Sequence, residues 1–207
     1  MASAIIKRWR DLEKLLLAGA GGFGRVVLEH ASQKYECAFV DDGPKIGTEI
    51  NGCKVLGRIA DIEKLYGQYK LLIVTIGNNK LREKIYREAA VIGYSFPNII
   101  IPSAYISPYA TIGAGCVILN NVVIQNNAKV GNGVILNPGV EIHHDSVVGN
   151  NVLIYTNSVV RTFAKVGDRA HLGSTLTISN EVLIPDDSII QDGETVIHYT
   201  PETFEPK

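Results

Sequence analysis

From residue 100 to residue 196 an aliphatic side chain returns every six positions: Ile100, Ile106, Ile112, Ile118, Ile124, Val130, Leu136, Ile142, Val148, Ile154, Val160, Val166, Leu172, Ile178, Ile184, Ile190 and Val196. Neither an α-helix nor a plain sheet has that period. A six-residue repeat held over such a length marks a parallel β-helix, in which each short strand stacks on the strand one coil below. Four residues after the aliphatic stands a small or aliphatic residue, as at Ala110, Cys116, Val122, Ala128 and Val134. Two side chains per hexad can therefore point inward, with one between them pointing out. Gly113, Gly131, Gly149 and Gly167 follow the aliphatic at intervals of eighteen, which makes the coil a triangle of three hexads with one glycine-lined edge. The corners are rich in Asn, including Asn121, Asn127 and Asn151, a residue that tolerates left-handed backbone angles. Each inward Ile or Val contributes about 1.5–3 kcal/mol of burial, so this half of the chain can hold a core of its own.

The first hundred residues carry a different pattern. Apolar strands are expected at Lys14–Ala18, Tyr35–Val40 and Leu71–Ile76, with helices over Arg25–Ser32, near Ile59–Tyr66 and from Lys80 to Ile92. A short glycine-containing excursion spans Asn51-Gly52 and Gly57. Strand–helix alternation of this kind predicts a parallel sheet. The fold class is thus α/β, a Rossmann-like half-domain over residues 1–99, followed by the β-helix over 100–197 and a tail over 198–207. Gly19-Ala20-Gly21-Gly22-Phe23-Gly24 matches GxGxxG between a strand and a helix, with Asp41 about twenty residues on. Three readings fit that loop. It binds a dinucleotide, or it holds a nucleoside diphosphate, which suits the short domain better, or its glycines serve only strand–helix packing.

At 207 residues one or two domains fit, and a net charge of −1 argues against a nucleic-acid partner. No apolar run approaches the length of a membrane span. Met1–Lys14 reads as a short helix or an arm, without a signal-peptide core. Cys37, Cys53 and Cys116 are odd in number and unpatterned, as reduced thiols in a cytoplasmic protein would be.

Chemistry concentrates at His143-His144-Asp145. His143 should leave its strand outward, with His144 and Asp145 at the corner that follows. A histidine beside a carboxylate is the parts list of a general base. The corners eighteen residues to either side hold Asn126-Asn127 and Thr162-Phe163, so coil geometry does not demand the pair. A zinc site would need three convergent histidines. His143 or His144 and His171 fall on different edges, so no metal is expected. One outward column reads Val117, Ile135, Leu153, His171, Ile189. An apolar stripe of this kind marks a protein contact, most simply among three copies of the chain.

Taken together, these residues resemble the NeuD/PglD-type sugar acetyltransferases of the hexapeptide-repeat superfamily, from about Leu15 to about Ile190. Gly19–Val27, Phe39-Val40-Asp41-Asp42, Ile76-Gly77-Asn78-Asn79 with Arg82, Pro102-Ser103-Ala104, Asn137-Pro138-Gly139 and Ile142-His143-His144-Asp145 carry the likeness. The resemblance implies a left-handed β-helix, a homotrimer, and acetyl-CoA as co-substrate in a groove between subunits. It implies N-acetylation of a nucleotide-linked amino sugar, commonly a UDP-4-amino-4,6-dideoxy sugar, for surface glycan synthesis. His144 would be the base and Asp145 its orienter. Gly19, Gly21, Gly22, Phe23, Asp41, Asp42 and Asn78 would line the nucleotide-sugar site. Leu153, Thr162 and His171 would lie on the acetyl-CoA path, with a backbone N–H near Thr162 holding the thioester oxygen. Phe23, Ile101 and Leu153 stand where the family has histidine, and Arg161-Thr162 where it has glycine. O-acetyl transfer to sialic acid or a hexose, and a trimeric binder without turnover, are the alternatives.

Overall fold

A computed structural model of the chain describes residues 12–198. All but the last three residues of Met1–Lys14, and the tail beyond His198, lie outside the described residues. The chain divides after Ile99 into two compact units.

The first unit is a five-stranded sheet with helices. In chain order it comprises β1 (Lys14–Ala18), α1 (Gly22–Ala31), β2 (Glu36–Val40), β3 (Glu49–Ile50), β4 (Cys53–Gly57), a 3-10 turn at Ile59–Asp61 running into α2 (Ile62–Leu65), β5 (Leu71–Val74) and α3 (Asn79–Ile92). The strand order is β3-β4-β2-β1-β5. Leu15–Ala18 are fully buried, which fits an uninterrupted apolar strand covered on both faces. The expected purely parallel sheet needs correction. The Asn51-Gly52 excursion is a hairpin, not a loop: β3 runs antiparallel to β4, and β4 then lies parallel to β2. Asn51 (φ 49°) and Gly52 (φ 78°) both sit in the left-handed region, the backbone of a two-residue hairpin turn. Cys53, Val55 and Gly57 alternate inward along β4. The chain moves from β1 to β2 on one side and reaches β5 on the other, so the glycine loop opens at the switch point of the sheet.

The second unit is the parallel β-helix that the hexads predict, left-handed as the resemblance implies. Its two-residue strands form three sheets of six, five and six strands. Residues eighteen apart pair in register: Val117, Ile135, Leu153, His171 and Ile189 up one face, and Thr111, Lys129, Val147, Lys165 and Leu183 up another. Both inward positions of the hexads fill one apolar core, from Cys116 and Ile118 up to Ile190 and Val196.

Close stacking explains the glycine edge. A Cβ on Gly113 would lie 2.7 Å from the Gly131 carbonyl carbon, and one on Gly131 would lie 2.7 Å from that of Gly149. Beside this edge the corner is sealed by side chains. Asn132 Oδ1 accepts from the Ala114 N–H (2.9 Å), Asn150 Oδ1 from the Asn132 N–H (2.9 Å), Asp168 Oδ1 from the Asn150 N–H (2.6 Å) and Asp186 Oδ1 from the Asp168 N–H (2.8 Å). Each coil thus satisfies backbone donors of the coil below along this corner.

The expected apolar stripe is not a continuous exposed surface. Val117, Ile135 and Leu153 are 0%, 1% and 3% exposed within one copy of the chain. Pointing out of the coil is a statement about the coil, not about solvent. Only the upper end of the column, with Tyr155 beside it and Ile189 at 59% exposure, is open. Among the described residues no helix is long and apolar enough to cross a membrane.

Gly131→Ala is expected to destabilise the β-helix by about 1–3 kcal/mol, the usual cost of overpacking. Gly67→Ala, where an added Cβ meets nothing within 4 Å, should be close to neutral. Urea unfolding of both variants checks the contrast.

Candidate functional site

His144 and Asp145 occupy the corner between the strands Glu141–Ile142 and Val147–Val148. Asp145 takes φ 60°, a left-handed angle that Asp accepts more readily than most residues. The His143 N–H donates to Val160 O in the coil above (2.9 Å), and the Asp145 N–H to Asn126 O in the coil below (3.1 Å). His144 is held between them, and its own N–H donates to Gln125 Oε1 at 3.1 Å.

The imidazole is oriented as strictly as its backbone. His144 Nδ1 lies 2.8 Å from Asp145 Oδ2. A carboxylate only accepts, so Nδ1 carries the proton and Nε2 keeps the lone pair. The hydrogen bond from His144 holds the Asp145 carboxyl below its ordinary value of 3.8, against weaker opposition from desolvation and with help from Asn127. Asn127 Nδ2 donates to the other oxygen at 3.3 Å. Because the value is lowered, the pairing persists above the usual carboxylate range and is lost only as pH falls through the lowered value. The side chains are 50% and 35% exposed, so the dyad is open to a substrate.

Thr162 and Phe163 stand one coil above. Thr162 Oγ1 is 3.2 Å from His144 Nε2, and the Phe163 ring is edge-on to the imidazole, with centroids 6.1 Å apart. Phe163 takes φ 61°, a costly angle for a bulky side chain. His143 makes a separate pair, Nε2 to Glu141 Oε2 at 3.2 Å. On the Asp145 side a groove of about 600 Å³ runs among Tyr109, Thr111, Asn127, Lys129, Asp145, Val147 and Phe163.

In the first unit, the glycine loop separates packing from access. Gly19 has φ 115°, and a Cβ there would lie 2.9 Å from Ile76 Cγ1. A Cβ on Gly24 would run into the Gly19 carbonyl. These two glycines are required by the fold. Gly21 and Gly22 are not: an added Cβ meets nothing within 4 Å at Gly21 and only Arg25 Nη2 at 3.9 Å at Gly22. They open the start of α1, where no side chain caps the helix and its first turn holds no acidic residue. Such an N-terminus presents free N–H groups and positive potential. Phe23 is half-buried on the first turn.

The two units are also matched by known proteins. Residues 14–89 match the PglD N-terminal domain, and residues 109–144 match the bacterial transferase hexapeptide repeat. The acetyltransferase domain of PglB from Neisseria gonorrhoeae is 29% identical over 92% of this chain and 94% of its own, with a TM-score of 0.86. That domain has also been solved in complex with acetyl coenzyme A, 29% identical over 89% of this chain and 95% of its own, with a TM-score of 0.80. A histidine-to-alanine variant of GDP-perosamine N-acetyltransferase from Caulobacter crescentus, in complex with CoA and GDP-perosamine, is 30% identical over 89% of each chain, with a TM-score of 0.84. The chain belongs to the PglD-type hexapeptide-repeat sugar acetyltransferases. It is an acetyltransferase.

Against that family's pattern, the structure sorts the expected site residues. His144, Asp145 and Thr162 meet at one corner, where the Thr162 hydroxyl faces His144 Nε2. Leu153 and His171 pair on another face of the triangle, away from that corner, so one chain does not bring the three expected acetyl-CoA residues together. A smaller hollow of about 310 Å³ there is bordered by Tyr155, His171, Ser174, Ile189 and others. Gly19, Gly21 and Gly22 form the loop at the C-terminal end of β1, between β2 and β5. Asp41 adjoins it, but both carboxylate oxygens are engaged: the Ala20 N–H donates to Oδ2 (2.6 Å) and the Gly43 N–H to Oδ1 (2.7 Å). Asp41 therefore ties the loop to the turn after β2. Asp42 Oδ1 accepts from the Ile59 N–H (3.1 Å), and Asn78 caps α3 by accepting from the Leu81 N–H (2.9 Å). Gln125, Asn127 and Phe163 were not expected at the site. Their spacing of eighteen or nineteen residues from the dyad was the available signal. Among the described residues no three His, Cys, Asp or Glu side chains converge as metal ligands do.

Gly24→Ala is expected to lower the melting temperature, whereas Gly21→Ala, where an added Cβ meets nothing within 4 Å, should leave it unchanged. Thermal melts of the two variants check the contrast.

Proposed function

We propose that the chain transfers the acetyl group of acetyl-CoA to the amine of a nucleotide-linked amino sugar. The observation that carries this reading is the 2.8 Å pairing of His144 Nδ1 with Asp145. It leaves Nε2 unprotonated as a base, facing the Thr162 hydroxyl at an exposed corner. The amine nitrogen attacks the thioester carbon, the new C–N bond forms, and the C–S bond breaks. The amine proton reaches His144, Asp145 stabilises the imidazolium, and that proton leaves with the CoA thiolate.

Within the first unit, the open Gly21-Gly22 segment at the start of α1 suits a pyrophosphate, and Asp41 keeps that loop in place. A UDP-4-amino-4,6-dideoxy sugar is our first choice of acceptor. GDP-linked sugars stand beside it, because the Caulobacter crescentus relative is named for GDP-perosamine. Leu153 and His171 lie on a different face from His144, and Ile189 is exposed above them. A cyclic trimer would set that face of one copy toward the corner of the next, with acetyl-CoA between them. The product would be a building block for surface glycans, made in the cytoplasm.

The test is thiol release from acetyl-CoA against UDP-, dTDP-, GDP- and CMP-linked amino sugars. One acceptor should turn over, and His144→Ala should lower kcat by at least about 10²-fold with an unchanged melting temperature. Near-full activity in that variant would remove His144 from the reaction. Binding without turnover by the unaltered protein would make it a nucleotide-sugar binder.

A further inference from the structure

The lone pair on His144 Nε2 is already engaged. Nδ1 is committed to Asp145, and Thr162 Oγ1 lies 3.2 Å from Nε2. With Nε2 unprotonated, the hydroxyl must be the donor in that contact. Its oxygen then keeps its own lone pairs directed elsewhere, free to accept. An amine N–H that reaches Thr162 Oγ1 would complete a chain from amine to hydroxyl to imidazole.

We propose that Thr162 is a proton-transfer residue, relaying the acceptor's proton to His144. This rests on the acetyl-transfer reading. As the C–N bond forms and the thioester C–S bond breaks, the amine proton passes to Thr162 Oγ1. In the same step the Thr162 hydroxyl proton passes to Nε2. The hydroxyl is regenerated, and one proton has moved from the amine to the imidazole. The imidazolium then protonates the departing thiolate.

The fold places Thr162 for this. It stands eighteen residues from His144, one coil above. Its backbone is pinned: the Glu181 N–H donates to Thr162 O at 3.1 Å, and the neighbouring Arg161 N–H donates to Ile178 O at 3.0 Å. Gln125 fixes the backbone of His144 from the coil below. The Phe163 ring stands beside the imidazole in a left-handed conformation that Asn127 and Asp145 adopt at the equivalent corners. A hydroxyl held this way against the base is either a relay or a plug, and the two differ in sign when it is removed.

Thr162→Val keeps the branched shape and deletes the hydroxyl. The relay predicts a fall in kcat of about 10²-fold, typical of losing a proton-transfer group, with the KM values for acceptor and acetyl-CoA unchanged. Thr162→Ser should recover most of the rate. In mixed H2O and D2O the rate of the unaltered enzyme should curve with deuterium fraction, because two protons move together, and Thr162→Val should give a straight line. A kcat in Thr162→Val equal to or above that of the unaltered enzyme overturns the relay and makes the hydroxyl a plug. A second readout needs no turnover: the 15N resonance of His144 Nε2 should move between the unaltered protein and Thr162→Val. An unmoved resonance in an active enzyme overturns the relay alone. An unaltered protein that releases no CoA with any acceptor fails the acetyl-transfer reading and the relay with it.

Discussion

Coil stacks on coil at a fixed offset of eighteen residues, and the site depends on that offset. The backbone bonds that rise from one coil to the next, such as Val117 N–H to Val134 O at 2.9 Å and Ile135 N–H to Val152 O at 2.9 Å, set it. The glycine edge permits it, because any Cβ at Gly113 or Gly131 would meet backbone of the neighbouring coil. A slip by one residue would turn every inward Ile and Val to the outside. The register is therefore defended by the whole core, and functional side chains at a corner inherit its rigidity.

His144 shows what that rigidity does for chemistry. Its neighbours along the chain bond upward and downward, its ring is held by Asp145, and the residues that reach it come from the coils on either side. Gln125 lies below, Thr162 and Phe163 above, and Asn127 from the coil below holds Asp145. A loop would need several compensating contacts to hold such a constellation. Here the stack supplies it, and the corner remains exposed enough to meet a substrate. In the first unit the sheet does the corresponding work. Gly19 and Gly24 allow tight strand–helix packing, Asp41 clamps the loop, and Gly21 and Gly22 stay open for a ligand.

Much of this was legible in the sequence because the hexad is a direct image of the coil. The inward positions, the glycine edge and the His144–Asp145 corner all follow from counting in sixes and eighteens. The glycine loop and the strands β1, β2 and β5 followed from their apolar runs. The hairpin of β3 and β4 was missed because β3 has only two residues, although Asn51-Gly52 is a strong turn signal. The outward column Val117, Ile135, Leu153 misled, since periodicity tells which way a side chain leaves its coil and not what else covers it. Asp41 carries a structural role that its spacing from the glycine loop did not reveal: one backbone N–H on each carboxylate oxygen ties the loop to the turn after β2. The Thr162 hydroxyl lay one addition of eighteen away from His144, and only the three-dimensional contact showed that its side chain reaches the imidazole.

The most direct test of the account is a crystal structure with CoA and a nucleotide-linked amino sugar bound together. The sugar amine is expected within hydrogen-bond reach of the Thr162 hydroxyl or His144 Nε2, with the CoA sulfur beside the amine. An amine bound away from the His144 corner, with another side chain serving as its base, would contradict it.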